Sequence, residues 1–475
     1  MKFSMRWVAA LLAVVLIASA CSSRDDETGT EESPSPTAAA QEESAVEQDA
    51  DADAESEPEA EEEPAVEAEP EVVLEATEIG VTATEIRVGV IADIDTPVAP
   101  GLSQSIHDAA EAWADSVNAN GGVAGRQIVL TKYDSKLNPD ESVNAVIEAC
   151  QNEFALVGSG MFAFLNPAPL IECADINGDV TGLPDLASLS VSPGQGASTT
   201  TFPAFVNGQV FYAEEPTFVL THAGIDYAAS LLGDVTPKAL VIETGTPGIR
   251  TAAVAISNGL EADRGFETAG VIAFPTTATQ AEALPIINTI REQGVNLVYA
   301  LPISMAKLMA EARVQGLDMD SIAWLCTGQC FSPFYASAFG EASDGLIVGV
   351  NTLPWTDADH PVIAEYLASV DREQVSSNGV VTTAAGKGFE ELMTSLVDAH
   401  GPNGITRANL LALLRTGPVT TAGGLLGPGS VLGRNSECYV VVQLIDGAYK
   451  RVDPAGTGEF ICDPSSLSTV VNPTE

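Results

Sequence analysis

EIRVGVIADIDTPVAPGLSQSIHDAAEAWADSVNANGGVAGRQIVLTKYDSKLNPDESVNAVIEACQNEFALVGSG runs from Glu85 to Gly160. Ile86 to Ile91 is a β-branched run without helical spacing, whereas Ile106, Ala109, Ala110, Trp113 and Val117 recur on one helix face. Asn120-Gly121-Gly122 stops that helix, and Arg126 to Tyr133 reads as a second strand. Pro139 opens a helix ending near Cys150, and Phe154 to Val157 reads as a third strand. The unit is βαβαβ, the seed of a doubly wound parallel sheet. Ligands of such sheets sit at the carboxyl ends of the strands, so the loops after Ile91 and Val157 are the first candidates for function.

The chain around this unit has 475 residues, enough for two core-forming domains and further segments. Its formal net charge of −46 argues against a nucleic-acid partner, because phosphates are repelled. The charge is uneven: Asp25 to Glu78 holds 22 of the 66 acidic residues and no Lys or Arg. Ser22 to about Thr82 is rich in Glu, Ala, Pro and Ser, cannot bury a core, and is expected to be a disordered, self-repelling spacer.

The start reads as an export signal. Lys2 and Arg6 precede the apolar run Trp7 to Ile17, too short to span a bilayer. Ala18-Ser19-Ala20-Cys21 resembles a bacterial lipoprotein signal, with Ala18 where a larger aliphatic residue is usual. The resemblance implies a signal peptide over 1–20, lipidation of Cys21 and attachment outside the cell membrane. Six cysteines remain, an even number that suits an exported, disulfide-bonded chain. Their clustering favours Cys150–Cys173, Cys326–Cys330 and Cys438–Cys462. Zinc at Cys326-x-x-x-Cys330 is disfavoured, because no His lies near it.

Beyond Gly160, Ala187 to Val191 reads as a strand and the α/β alternation restarts after Thr221. Strands are expected at 239–243, 270–274, 297–301, 322–325 and 345–350, with helices between them and at 362–370, 381–400 and 407–414. A hairpin is expected at Tyr439 to Val452 around Asp446-Gly447. The fold class is α/β, with two doubly wound parallel-sheet lobes.

Asn118 to Ile128, NANGGVAGRQI, resembles a segment of the type I periplasmic-binding-protein family, in the branched-chain amino-acid receptor branch of ABC importers. Tyr133-Asp134, Asn138-Pro139, Val157-Gly158, Asn166-Pro167-Ala168, Ala312-Arg313 with Gly316-Leu317, and Gly424 to Leu432 with Tyr439 to Val452 resemble further segments in the right order. The resemblance implies lobes that exchange segments across a three-segment hinge: 84–210 with 355–422, and 211–354 with 423–465. It leaves 21–83 as tether and 466–475 as tail. It implies an extracytoplasmic, membrane-anchored monomer that captures a small solute between the lobes and meets ABC permease subunits. A sensory receptor of the same fold is the alternative.

Strand ends facing such a cleft give the candidate ligand-binding residues. On lobe one they are Asp93, Leu102, Ser103, Met161, Phe162, Ala163, Phe164, Ser192, Gly194 and Gln195. On lobe two they are Pro247, Leu301, Pro302, Thr327 and Gln329. Where amino-acid receptors place hydroxyls, this chain has Phe162-Ala163-Phe164; Pro247 and Thr327 stand near their aromatic and acidic partners of the ammonium group. A buried ammonium without a carboxylate is costly, so a ligand other than a standard amino acid is expected, with Gln195, Thr327 and Gln329 as polar anchors. No nucleophile–base, P-loop or metalloprotease motif occurs, and His107, His222, His360 and His400 are unpaired in sequence. No enzyme activity, cofactor or metal is expected.

Overall fold

Glu85–Ala92 (β1) is buried along almost its whole length, as a central strand covered on both faces must be. It pairs in parallel with Gln127–Asp134 (β2) and Ala155–Val157 (β3), and β3 pairs with Asp185–Leu186 (β4), giving the order β2-β1-β3-β4. The helices Gln104–Ala119 and Pro139–Asn152 make the crossovers. The structure, a computed structural model, describes residues 72–96, 101–190, 192–205, 210–211, 217–245, 247–275, 277–300 and 304–471. The export signal, Cys21 and most of the acidic spacer lie outside the described residues. So do Leu301 and Pro302.

After Val210–Phe211 (β5) and Thr217–Thr221 (β6), the strands Lys238–Glu243 (β7), Glu267–Ala273 (β8), Leu297–Ala300 (β9), Ala323–Cys326 (β10) and Ile347–Val350 (β11) build a second parallel array in the order β8-β7-β9-β10-β11. Cys438–Ile445 (β12) adds antiparallel to β11, and Ala448–Asp453 (β13) adds to β12. Their two-residue turn has Asp446 and Gly447 at φ 55° and 73°, the left-handed geometry favoured in a tight hairpin. Ile461–Cys462 (β14) pairs with the start of β12, where the Cys438–Cys462 disulfide closes the edge. Cys150–Cys173 and Cys326–Cys330 are also bonded.

Several expectations are corrected. The expected strand at 187–191 is displaced: β4 ends at Leu186, the Ser188 amide donates to Ser159 O, and Leu189 makes only an isolated bridge to Phe205. The expected tail instead contains Leu467–Val471 (β15), which pairs antiparallel with β6 because that strand has an open edge. The spacer ends earlier than Thr82. Glu78 is buried, its carboxylate accepting from the Ile79, Ile176 and Arg407 amides. Glu390 accepts the Trp113 indole N–H at 2.9 Å, and Glu391 accepts from the Thr421 and Gly423 amides.

The Gly121–Arg126 turn now has a physical reason. Gly121, Gly122, Ala124 and Gly125 all have positive φ, and a Cβ on Gly122 would meet Arg126 O at 2.0 Å. Arg126, fully buried, donates to Thr82 O, Pro402 O, Glu75 O and Asn403 Oδ1 at 2.6–3.3 Å. The motif therefore ties the residues entering β1 to a loop far along the chain.

The core of the first sheet includes residues far from it in sequence. Phe389 on the helix Ser377–His400 meets Trp113 edge-on at 5.9 Å and Phe154 at 6.5 Å. Leu425, Leu426 and Leu432 belong to this core as well, so the return to the second sheet comes at Cys438 rather than Gly423. Trp355 and Phe460 pack against both cores.

Candidate ligand cleft

Register aligns the strand ends of the first sheet. Ala92 pairs with Asp134 and bridges Gly160, so Asp93, Ser135 and Met161 are the next residues of three adjacent loops. Asp93 joins those loops. It is fully buried; Oδ1 accepts from Ser135 Oγ and the Leu137 amide, both at 2.7 Å, and Oδ2 accepts from the Phe162 amide at 2.9 Å. Its carbonyl accepts the Ser103 amide at 3.1 Å. The sequence marks Asp93 as a ligand contact; the structure gives its carboxylate internal donors instead.

Asp134, absent from the candidate residues, does the same beside it. Oδ1 accepts from the Ile94 and Lys136 amides and Oδ2 from the Asp95 amide, at 2.9–3.0 Å. Burial works to raise its pKa, and the Ile94, Lys136 and Asp95 amides together outweigh that and hold the carboxyl below its ordinary range. Lys136 and Leu137 both have φ 54°, a conformation costly for residues with a Cβ and held here by the two carboxylates.

Met161 and Phe164 are fully buried in the core with Ile91 and Tyr133, so they support the loop from beneath. Phe162 and Ala163 are half-buried and Leu102 is 37 % exposed, so these three are partly open to solvent. Gly194 packs on Phe164: its amide donates to Phe164 O at 2.8 Å, and a Cβ there would meet that oxygen at 2.7 Å. Gln195 is also internal. Its Oε1 accepts from Ser192 Oγ and the Met161 amide, and its Nε2 donates to Asp185 Oδ2 at 3.2 Å. Asp185, which the sequence reading missed, is fully buried, and desolvation pushes its pKa up to about 7 although Gln195 and Thr201 bond to it.

On the second sheet Ile272, Ile242, Ala300, Cys326 and Val348 form one row of pairs near the strand ends. Thr327, Gly328 and Gln329 fill the turn closed by Cys326–Cys330, with Thr327 and Gln329 half-buried. Tyr449 donates its hydroxyl to Cys330 O, and Phe331 stacks on Trp355 at 4.7 Å. The Ser377 amide donates to Phe331 O at 3.1 Å, joining this turn to the start of a helix packed on the first sheet. Pro247 begins the helix Pro247–Arg264. Asp357 and Arg451 form a buried ion pair with contacts of 2.6 and 3.0 Å behind the Trp355 stack.

Three hydroxyls near the strand ends, Ser103 Oγ, Ser190 Oγ and Thr327 Oγ1, are buried and lack a hydrogen-bond partner among the described residues. Ser103 and Thr327 are among the candidates; Ser190 is not, because its surroundings arise only from folding. Two surface depressions, about 500 and about 670 Å³, contain no candidate residue; the larger is an acidic groove between the helices Gln104–Ala119 and Pro361–Ser369. Among the described residues no group of His, Cys, Asp or Glu could hold a metal ion, and no helix is long and apolar enough to cross a membrane. The Asp175–Asp179 turn folds on itself, with Asp175 accepting from the Asn177 and Asp179 amides.

A family profile described as periplasmic binding protein matches residues 85–448. No curated protein sequence matches the chain. Among solved structures, a fatty acid ABC transporter substrate-binding protein from Thermomonospora curvata aligns over 82 % of this chain and 95 % of its own, with 17 % identity and a TM-score of 0.58. The branched-chain amino acid transporter substrate binding protein LivJ from Streptococcus pneumoniae, in complex with isoleucine, aligns over 78 % and 100 %, with 13 % identity and a TM-score of 0.58. An ABC transporter substrate binding protein from Aeropyrum pernix aligns over 80 % and 97 %, with 16 % identity and a TM-score of 0.60.

Proposed function

The chain belongs to the periplasmic binding protein family, and we propose that it captures a small solute between two lobes and delivers it to an ABC permease. The observation that carries this reading is that the buried hydroxyls of Ser103, Ser190 and Thr327, near the strand ends of two parallel sheets, lack a partner among the described residues. Burying a polar group without a partner costs about 1–3 kcal/mol, which a bound solute would recover. No bond is made or broken; binding selects the closed arrangement, and the permease recognises it.

The finer organisation belongs to the same reading. Residues 84–210 with 355–422 form lobe one, and most of 211–354 with the chain from Cys438 onward forms lobe two. Trp355 and the Asp357–Arg451 pair stand at a crossing between them. Cys21 carries the lipid anchor, the acidic spacer extends the binding unit from the membrane, and the protein acts as a monomer. Three disulfides suit the oxidising space outside the cytoplasm. Phe162, Ala163 and Leu102 favour a solute with an apolar or aromatic part. A thermal-melt panel of amino acids, amides, aromatic acids and fatty acids tests the reading: at least one class raises Tm, with no turnover of the bound compound. A melting curve unmoved by every class would count against solute capture.

A further inference from the structure

We propose that the lobe-one wall of this cleft rejects anions and receives a neutral hydrogen-bonding group, such as an amide or hydroxyl, on Ser103 and Ser190. The inference rests on the solute-capture reading and names the chemistry that this reading leaves open.

A carboxylate held at strand ends needs free N–H donors or a cation. Among the described residues, many of the donors here are already used. The Leu137 and Phe162 amides go to Asp93, and the Ile94, Asp95 and Lys136 amides go to Asp134. The Met161 amide goes to Gln195 Oε1, and the Gln195 side-chain amide goes to Asp185. In the first turn of the nearby helix, Gln104 N donates to Gly101 O, and Ile106 N to Ser103 O.

Acidic side chains outnumber basic ones at this wall. Asp93 accepts from the Leu137 and Phe162 amides, Asp134 accepts from three amides, and Asp95 lies in the same loop. Lys136 is the cation of these loops, and its Nζ lies 3.7 Å from Glu141. An incoming anion would therefore lose its hydration and meet like charge. The capacity that remains is neutral: Ser103 Oγ and Ser190 Oγ, in residues 0 % and 3 % exposed, have no partner among the described residues. A hydroxyl donates and accepts, so it can satisfy an amide or an alcohol without a charge.

The test uses matched pairs on one carbon skeleton: octanoate and octanamide, phenylacetate and phenylacetamide, isoleucine and isoleucinamide. Binding of each is titrated to the mature chain by calorimetry and thermal shift. The neutral or amide member of a pair is expected to bind at least about tenfold more tightly than its acid, the discrimination expected when a site's polar groups suit one partner. Ser103→Ala is expected to weaken the amide about fivefold or more and leave the acid unchanged. An acid that binds as well as its amide overturns the inference and leaves solute capture standing. An amide unaffected by both Ser103→Ala and Ser190→Ala overturns the assignment to these hydroxyls. No binding by any member overturns the capture reading, and this inference falls with it.

Discussion

The Asp93 carboxylate accepts the Phe162 backbone N–H at 2.9 Å while its other oxygen accepts the Leu137 N–H at 2.7 Å. One buried side chain thus sets the relative position of the loops after β1, β2 and β3. Asp93→Ala leaves two amides without their acceptor and is expected to cost about 2–5 kcal/mol in urea-induced unfolding. Ser135→Ala removes one neutral donor from the same carboxylate and is expected to cost only about 1 kcal/mol. Equal, small effects of the two would show that the loops are positioned by something else.

Asp185 predicts a pH dependence. Burial raises its pKa to about 7, against about 3.9 unfolded, so the folded state holds the proton more tightly. Its stabilising contribution is fully present below about pH 4 and is lost as pH rises through about 7, by at most about 4 kcal/mol. His222 works in the opposite direction. Burial, followed by the nearby Arg264 charge, lowers its pKa to about 4, so its contribution is lost as pH falls from about 6.5 towards 4. Asp185→Asn can still accept from Gln195 and Thr201, and its amide takes the position of the unpartnered Oδ1. The expected result is a gain in stability at pH 7.5 and none at pH 4, read from denaturant midpoints across pH. A uniform loss at both would refute the titration.

Arg126 predicts the fate of the residues that enter β1. Lys keeps the charge at that position but lacks the planar fork that reaches Thr82, Glu75, Pro402 and Asn403 together. Arg126→Lys is expected to speed hydrogen exchange and proteolysis over 75–82 and to leave the strands around β9 protected. Uniform protection in the variant would mean that Glu78 and Asn403 suffice to hold this segment.

The disulfides should contribute unequally. Cys438–Cys462 joins cysteines 24 positions apart, and Cys326–Cys330 joins cysteines 4 apart. Loop-closure entropy gives about 3–4 kcal/mol for the first and about 2 kcal/mol for the second. Paired Cys→Ala variants, compared by urea unfolding, check the order. The short clip encloses Thr327 and Gln329, so its removal is expected to weaken solute binding more than stability.

The sequence by itself determined the alternation of strands and helices, because β-branched runs, helix-face spacing and Gly or Pro punctuation are local signals. It also favoured the cysteine pairing by proximity, which the structure shows, and it marked the scaffold through Gly121–Arg126, where positive φ values favour the glycines at 121, 122 and 125. Tertiary structure alone decided which candidate residues keep free polar atoms. Asp93 and Gln195 read as ligand contacts because they follow strands, yet folding supplies each with internal partners. Ser190 and Asp185 carry no local signal; their burial is made by chain brought in from elsewhere. The strand Leu467–Val471 reads as tail because its partner lies about 250 residues away, at Thr217–Thr221. Hydrogen-bond satisfaction depends on every neighbour in space, and spacing along the chain records only the local ones.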